Sequence, residues 1–537
     1  MTESPRSRAF ATLAIMAASL ATGGWFIARG LHPAESPSVS RSLVDAVLQI
    51  VQERYIDSVS AGALYERAVA GLLEELDDPY TTYLTRDRFR SIEERAAAQY
   101  AGVGLRVDLR DGWPTVTVPI PGSPAERSGI KAGDRITEID GKSAKGWPVE
   151  ETTRALRGDP GSAVTVTVER AGMAEPIVHR LTRGEIYRRA VSRALMMANA
   201  AGYIDVNIFN DSTELEVRHA VDSLLKEGMR SLILDLRGNP GGVLAQGVAV
   251  AELFLDPRQT IVTMRGRTSD MNRVYADTGK QLWAQLPLIV LIDERSASAS
   301  EIVAGALQDH DRAVIMGTTS YGKGSAQSLF PLPSGAGVRL TTARWYTPVG
   351  RSIDKRVAEE EDDDVSEAAR PAFKTDRGRT VYGGGGIVPD AQAFDSAFFN
   401  QEVHLSSSLG SAIPAFRDAL TAYAVDVRRS GAIRSADFTV TPAMREEFWR
   451  VLQLRTVRLD RSAFDANGDF ISRLMTSEIA RIVFGAAVEA RRSAQRDLVV
   501  RTAVGFMAGV RSRDELLARV TPRDPPPANG NGASARN

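Results

Sequence analysis

Residues 232–242 read LILDLRGNPGG, a short apolar run that ends in a charged, glycine-rich turn. Two further apolar runs of the same kind lie at 288–292 (LIVLI) and 313–316 (AVIM). Runs of this length predict strands that are buried on both faces, and the stretches between them, such as 214–227, look helical. Their alternation predicts an α/β layer that extends from about residue 202 to 390.

A serine-rich segment follows the second apolar run, where residues 293–302 read DERSASASEI. This segment lies between a predicted strand and a predicted helix. A serine at the start of a helix is exposed, and the helix N-terminus stabilises developing negative charge. The same position also suits a serine that only caps the helix. Spacing alone leaves both interpretations open.

The third apolar run leads into residues 317–325, which read GTTSYGKGS. Gly317 to Lys323 satisfies the G-x-x-x-x-G-K half of a phosphate-binding loop. However, Gly324 occupies the place of the Ser or Thr whose hydroxyl would hold Mg²⁺. Pro331 also argues against the long helix that such a loop requires. A nucleotide-dependent enzyme is therefore a disfavoured alternative.

A strand-rich block from about residue 101 to 183 precedes the α/β layer. Its opening residues, Gly102, Val103, Gly104 and Leu105, can turn successive backbone N–H groups toward an anion such as a terminal carboxylate. Together with the later segments PGSPA, GIKAGDRI and IDG, they make the block resemble a PDZ domain. The resemblance implies that an extended peptide binds beside these opening residues and that a following helix forms the other groove wall.

Taken in order, the three glycine- and serine-rich segments resemble those of the C-terminal processing peptidases, or tail-specific proteases, which are serine endopeptidases of the Ser-Lys class. The match runs from about residue 77 to 390 and includes the flanking segments LDDPYTTYL (76–84) and GIVPD (386–390). The resemblance implies a multidomain α/β protein with a crotonase/ClpP-like α/β protease core and an inserted PDZ domain. An N-terminal helical segment and a C-terminal helical extension flank this core.

The resemblance also implies roles for individual residues. The family's nucleophile lies in the serine-rich segment and falls on Ser298, with Ser296 and Ser300 as competing assignments. The family's general base falls on Lys323. A glutamine one helical turn beyond the lysine falls on Gln327 and would orient the lysine amine.

The chemistry of such a pair sets a condition on the lysine. A lysine accepts a proton only when neutral, and its unperturbed pKa of about 10.4 must therefore be lowered, which burial can do by roughly 3–5 units. We accordingly expect Lys323 to project into a largely dry pocket without a carboxylate partner. Backbone N–H groups of Ala299 and of the Gly241-Gly242 turn are the candidates for an oxyanion hole. No metal or organic cofactor is required.

The N-terminus carries an apolar stretch. Arg6 and Arg8 precede residues 9–28, which contain no charge. About 20 helical residues span roughly 30 Å, the hydrocarbon thickness of a bilayer. We interpret the stretch as an uncleaved anchor or a signal peptide, with a buried core helix as the alternative. The two arginines favour a cytoplasmic N-terminus, which places the rest of the chain on the extracytoplasmic, periplasmic side of the cell envelope.

Six regions follow from these patterns. They are an anchor and linker (1–40), an N-terminal helical segment (41–97), a PDZ-like domain (98–185), a Ser-Lys protease core (186–400), a helical C-terminal domain (401–520) and a disordered tail (521–537). The resemblance does not extend to the helical C-terminal domain. Oligomerisation, docking of a partner and shielding of the active site are its open roles.

Composition narrows the function classes. In 537 residues, 66 Lys and Arg balance 67 Asp and Glu, so the overall field does not favour a nucleic-acid binder. Cysteine is absent and only five histidines are scattered along the chain, which disfavours thiol nucleophiles and metal centres. The sequence predicts a serine endopeptidase that captures protein C-terminal tails and contacts the membrane through its N-terminus, with a homo-oligomer left open. A catalytically inactive PDZ scaffold is the alternative.

Overall fold

A computed structural model describes residues 37–170, 173–279, 281–355 and 370–520 of the chain. The predicted anchor at 9–28 and the predicted tail at 521–537 lie outside the described residues. Within the described part, no helix combines the length and the apolar character needed to cross a bilayer. The chain forms two compact units, one of residues up to Thr85 with Leu329–Leu340 and one of Arg86–Ser328 with the residues from Thr341 onward.

The first unit consists of helices and a short strand pairing. Its elements are α1 (Pro37–Arg54), α2 (Ala61–Glu74) and β1 (Thr82–Leu84). Ser60 caps α2, because its hydroxyl accepts the N–H of Ala63. β1 pairs antiparallel with residues 337–339. The segment predicted as helical therefore contains a strand, which follows the Asp78-Pro79 break in the sequence.

The second unit begins with helix α3 (Arg86–Ala96) and a β-domain. The elements of this domain are β2 (Gln99–Gly102), β3 (Leu105–Arg110), β4 (Trp113–Pro119), α4 (Pro124–Arg127), β5 (Arg135–Ile139), β6 (Lys142–Ser143), α5 (Val149–Leu156), β7 (Ala163–Glu169), β8 (Ile177–Thr182) and β9 (Gly184–Tyr187). The main sheet has the order β3-β4-β5-β7-β8, with β6 on β5, while β2 pairs with β9. Val164, Val166 and Val168 alternate along β7 and fill the core.

An α/β domain follows directly. Its elements are β10 (Val191–Met196), β11 (Ala201–Val206), α6 (Thr213–Lys226), β12 (Ser231–Asp235), α7 (Leu244–Glu252), β13 (Thr260–Gly266), β14 (Arg273–Ala276), β15 (Leu288–Ile292), α8 (Ala299–Asp309), β16 (Val314–Gly317), β17 (Ser325–Pro331), β18 (Gly337–Tyr346), β19 (Ala372–Lys374), β20 (Thr380–Tyr382) and β21 (Ala391–Gln392). The central sheet has the order β10-β11-β12-β15-β16-β21. All its strands are parallel except β10.

A C-terminal helical region, residues 396–517, completes the described chain. Its helices are α9 (Ser396–Leu409), α10 (Ile413–Ser430), α11 (Pro442–Leu454), α12 (Arg461–Ala466), α13 (Gly468–Ile479), α14 (Ala486–Arg496), α15 (Leu498–Phe506) and α16 (Arg513–Leu517). Helices α10, α11 and α13 share an apolar core that includes Phe448 and Ile471. The region also contacts the β-domain, since Arg481 donates to the Thr117 carbonyl at 2.6 Å.

Helices cover both faces of the central sheet. On one face lie α6, α7 and α8, and α8 is buried along its whole length. On the other face, α15 and α16 pack against Ile233, Ile289, Leu291 and Val314. The strands are therefore apolar on both sides, as their sequences predicted.

Candidate active site

Three loops meet at the carboxyl ends of β12, β15 and β16. Because β12 pairs with β15 and β15 with β16, the residues that follow these parallel strands are neighbours. Ser296 joins all three loops: its hydroxyl donates to the Leu236 carbonyl at 2.8 Å, and its own carbonyl accepts the N–H of Tyr321 at 3.0 Å. The three segments singled out in the sequence are thus brought together.

The three serines of the second loop differ in their surroundings. Ser296 and Ser300 are fully buried, and the Ser300 hydroxyl donates to the Asn239 carbonyl at 3.0 Å. Ser298 is partly exposed. Its backbone has φ 57° and ψ −115° at the start of α8, a conformation that costs a non-glycine residue about 1–3 kcal/mol. Strain of this kind at a helix start is typical of an exposed nucleophile on a sharp turn.

Glu301, in the first turn of α8, is a buried carboxylate that ties two loops together. It accepts hydrogen bonds from Ser298 N–H (2.7 Å), Ser320 Oγ (2.6 Å), Gly322 N–H (2.7 Å) and Lys323 N–H (3.0 Å). Ser298 and Lys323 donate to the same oxygen, Oε2. Burial raises the pKa of the Glu301 carboxyl, and the four donors oppose that rise. This role was missed in the sequence, where a Ser followed three residues later by Glu also fits a simple capping box.

Lys323 and Gln327 lie after β16. Lys323 is partly buried in an irregular segment, and its main chain is fixed by Glu301. Gln327 lies on β17 and donates to Ser325 Oγ at 3.1 Å and Thr341 Oγ1 at 3.2 Å. The predicted spacing of one helical turn between the two residues is therefore wrong. Lys323 and Gly324 are irregular, and Ser325 already begins the strand, so no helix joins Lys323 to Gln327.

The glycine-rich turn lies directly against the start of α8. A Cβ on Gly241 would lie 2.6 Å from the Ala297 carbonyl and 2.9 Å from the Ala299 nitrogen, and Gly242 is packed as closely against Phe209. As the first residue of α8, Ala299 has an N–H group that the helix does not use. The N–H of Gly241 donates to Asn239 Oδ1 at 2.9 Å. The N–H of Gly241 must release Asn239 before it can donate to an oxyanion. The N–H groups of Ala299 and Gly242 can donate without first breaking such a bond.

The start of the same turn holds an ion-pair network that the sequence did not predict. Asp235 accepts Tyr203 Oη at 2.8 Å and Arg237 Nη2 at 2.6 Å. Arg237 also reaches Asp497 in the C-terminal helical region at 3.1 Å. The carboxylates raise the pKa of Arg237 against its burial, and burial beside Asp235 raises the pKa of Tyr203. Asp497 lies too far along the chain for any local pattern to indicate it.

The predicted peptide-binding residues lie where β2 ends and β3 begins. Gly104 has a φ of 79°, and a Cβ there would lie 2.2 Å from the Cβ of Ser123. The Val103 and Gly104 carbonyls accept the N–H groups of Ala125 and Ile120. Leu105 is the first residue of β3. One edge of β3 pairs with β4, and the strand also packs beside α5. The arrangement has the strand and helix of a peptide groove.

Within the described ranges, no group of three or more His, Cys, Asp or Glu side chains is positioned to hold a metal ion.

Comparison with known families gives three matches. The sequence matches the family described as Peptidase family S41 over residues 200–362 and the PDZ domain over residues 115–170. Residues 32–88 match the activating protease CtpB N-terminal domain. These matches confirm the predicted multidomain organisation with a PDZ domain, a peptidase domain and N-terminal helices.

Individual relatives agree. The chain is 35% identical over 311 residues to the carboxy-terminal-processing protease of Bartonella bacilliformis, covering 57% of this chain and 71% of the relative. It is 35% identical over 306 residues to the carboxy-terminal processing protease CtpA of Bacillus subtilis, covering 57% of this chain and 65%, less than two thirds, of that relative. The solved photosystem II D1 C-terminal processing protease is 29% identical, with 66% of this chain and 87% of that chain covered at a TM-score of 0.37. The 35% identity over 71% of the Bartonella relative shows that the chain belongs to the carboxy-terminal processing proteases of peptidase family S41.

Proposed function

We propose that this protein is a serine endopeptidase that captures protein C-terminal tails through its PDZ domain and hydrolyses peptide bonds with Ser298 and Lys323. The observation that carries the proposal is the shared bond to Glu301: the main chains of Ser298 and Lys323 converge on one carboxylate oxygen. A base and a nucleophile held by a common anchor can exchange a proton with little loss of entropy.

Burial and strain favour Ser298 over its neighbours as the nucleophile. The hydroxyls of Ser296 and Ser300 are buried and donate hydrogen bonds to main-chain carbonyls. Ser298 is the partly exposed serine of the three, and its strained backbone at the start of α8 is typical of a nucleophile on a sharp turn.

The proposed reaction proceeds in two halves. Neutral Lys323 takes the proton of the Ser298 hydroxyl as the oxygen attacks the peptide carbonyl, and Gln327 orients the amine. The oxyanion accepts hydrogen bonds from the N–H groups of Ala299 and the Gly241-Gly242 turn. Lys323 then donates its proton to the leaving amine. Water, activated by the same lysine, hydrolyses the acyl-enzyme and regenerates Ser298.

Tail capture is assigned to the turn at residues 102–105. The C-terminal carboxylate of a substrate would accept the N–H groups of Val103, Gly104 and Leu105, and the preceding residues would add a strand to β3. Binding there raises the effective concentration of the tail near Ser298.

The finer architecture is proposed on the same basis. A parallel sheet with catalytic loops at its carboxyl edge supports a crotonase/ClpP-like core spanning residues 186–400, with the PDZ-like domain over 98–185 as an insertion. In this proposed division, the N-terminal helical segment spans residues 41–97 and the helical C-terminal domain spans residues 401–520.

We also propose a location and an assembly for the protein. The apolar stretch at 9–28 supports membrane attachment with the catalytic domains on the periplasmic side. Helices α1 and α2 expose large apolar side chains, among them Leu43, Ile50 and Leu72 at 58–66%. Such a surface supports a homo-oligomer, which light scattering on the purified chain would test.

Cleavage of a fluorogenic peptide with an apolar, free C-terminus tests the proposal. The wild type should cleave it, and Ser298→Ala and Lys323→Ala should abolish cleavage without loss of binding. Ser223→Ala and Lys226→Ala, on the exposed side of α6, are matched controls. A C-terminally amidated peptide should be a poor substrate. Binding without cleavage by the wild type would instead identify an inactive PDZ scaffold.

A further inference from the structure

The glycine-rich turn at residues 237–242 is contacted by a residue of the C-terminal helical region, outside the peptidase domain. Nε and Nη2 of Arg237 contact Asp235 at 2.6–3.1 Å, and Nη1 contacts both oxygens of Asp497 at 3.1 and 3.2 Å. The guanidinium thus lies between a carboxylate at the end of β12 and a carboxylate of the C-terminal helical region. The S41 match ends at residue 362, well before this second carboxylate.

Asp497 is itself firmly placed. It is the N-cap of α15 and accepts the Val500 N–H at 2.9 Å. Behind it, Val500 and Ala503 are fully buried against the face of the central sheet. The pair with Arg237 is therefore unlike a mobile surface ion pair: both side chains are mostly covered, with exposures of 21% and 31%, and the contact involves both carboxylate oxygens.

Arg237 is the residue from which the turn departs. Its own N–H is bound to Asp235 Oδ1 at 3.0 Å, and the next N–H, of Gly238, is bound to Asp293 Oδ1 at 2.8 Å. Beyond them, Gly241 lies in contact with Ser298 and Ala299. A displacement of Arg237 would therefore be carried along the turn to Gly241, beside Ser298 and the start of α8.

We propose that Asp497 is a positioning residue for the peptidase reaction. Through Arg237 it holds residues 238–242 in the geometry that receives the oxyanion, so that the C-terminal helical region is needed for turnover and not for tail binding. This inference rests on the proposed function, because it presupposes an oxyanion at Ser298.

The test compares two aspartates of the same kind. Asp497→Ser removes the carboxylate from Arg237 but keeps a good helix cap. Asp395→Ser is the matched control, since Asp395 also caps a helix, α9, and pairs with Arg473 at 3.2 Å. We expect Asp497→Ser to lower kcat by roughly tenfold or more, less than the 10²–10³ that loss of a whole oxyanion donor costs. KM and the affinity for a tail peptide should stay unchanged, and Asp395→Ser should leave all three constants unchanged.

Hydrogen–deuterium exchange of the full chain supplies a readout that does not depend on activity. Residues 236–243 should exchange faster in Asp497→Ser than in the wild type or in Asp395→Ser. Unchanged exchange in this segment, unchanged kcat, or an equal loss of kcat in both variants would each overturn the inference. A wild type that cleaves nothing would instead defeat the proposed function, and the exchange data would still show whether Asp497 holds the turn.

Discussion

The main-chain N–H groups of Ser298 and Lys323 donate to the same oxygen atom, Oε2 of Glu301, at 2.7 and 3.0 Å. Two residues separated by helix α8 and strand β16 are thereby fixed relative to each other through one side chain. The other oxygen of Glu301 accepts Ser320 Oγ and Gly322 N–H. The loop that carries the proposed base is therefore anchored to the helix that begins at the proposed nucleophile.

Replacement of Glu301 by Gln should disconnect these loops. A glutamine has one acceptor oxygen and presents an NH₂ group to the remaining donors, which leaves buried N–H groups unpaired. We expect the free energy of unfolding to fall by about 1–3 kcal/mol and turnover to fall by at least about tenfold. Glu294→Gln, in an exposed position of the same loop, is the control. Wild-type turnover in Glu301→Gln would show that the anchor is dispensable.

The same carboxylate predicts a pH dependence of stability. Burial raises the pKa of Glu301 above its unfolded value of about 4.3, so the folded state holds this proton more tightly than the unfolded state does. Its contribution to stability is fully present below the unfolded pKa and is lost as the pH rises through the folded pKa. Urea unfolding of the wild type and Glu301→Gln between about pH 4 and 8 measures this. The stability difference, wild type minus variant, should decrease with rising pH; an increase would contradict the assigned direction.

Tail binding should depend on Gly104. Gly104→Ala combines a strained positive φ with a Cβ placed 2.2 Å from the Cβ of Ser123. Gly112→Ala is a matched control, because Gly112 has a similar φ of 76° but open space around the position of a Cβ. We expect Gly104→Ala to weaken binding of a tail peptide, measured by fluorescence anisotropy, by tenfold or more, about 1.4 kcal/mol. Equal affinities in the two variants would argue against this turn as the carboxylate site.

The C-terminal helical region and the β-domain should be coupled through Glu478. This carboxylate accepts Arg481 Nε at 3.1 Å and Thr421 Oγ1 at 2.5 Å and lies 3.6 Å from Arg110 of the β-domain. Arg110 and Glu478 are only 13% and 12% exposed. Glu478→Ala removes the acceptor of Arg481 Nε and Thr421 Oγ1 and the ion pair with Arg110, and should lower the free energy of unfolding by about 1–3 kcal/mol.

Limited proteolysis provides the spatial readout for Glu478. The β-domain should be cut faster in Glu478→Ala than in the wild type, because its contact with the helical region is weakened. Asp426→Ala is the control, since its pair with Arg429 is exposed on both sides. Equal cutting rates in the two variants would show that Glu478 does not couple the domains.

Much of the fold could be predicted because the decisive signals are local. The apolar runs at 232–236, 288–292 and 313–316 contribute to the buried strands β12, β15 and β16, as is typical of parallel strands covered on both faces. Parallel pairing then brings their carboxyl ends together, which is why three loops distant in sequence could be expected at one site.

What the sequence could not predict depends on tertiary contacts. The Glu301 carboxylate could be read as a capping group, and its bonds to Gly322 and Lys323 exist only once β16 is paired. The contact between Arg237 and Asp497 requires α15 to dock on the sheet, which no local pattern indicates. Gln327 was expected one helical turn from Lys323, but residues 321–324 are irregular and strand β17 begins at Ser325, so no helix joins the two residues.

The pH dependence of kcat/KM tests the central claim, that Lys323 acts as a neutral base toward Ser298. We predict that kcat/KM rises with pH as the Lys323 ammonium loses its proton and levels off well before the ordinary lysine pKa of about 10.4 is reached. Lys323→Ala should lose this activity altogether. A rate that keeps rising to about pH 10, or wild-type activity in Lys323→Ala, would contradict the account.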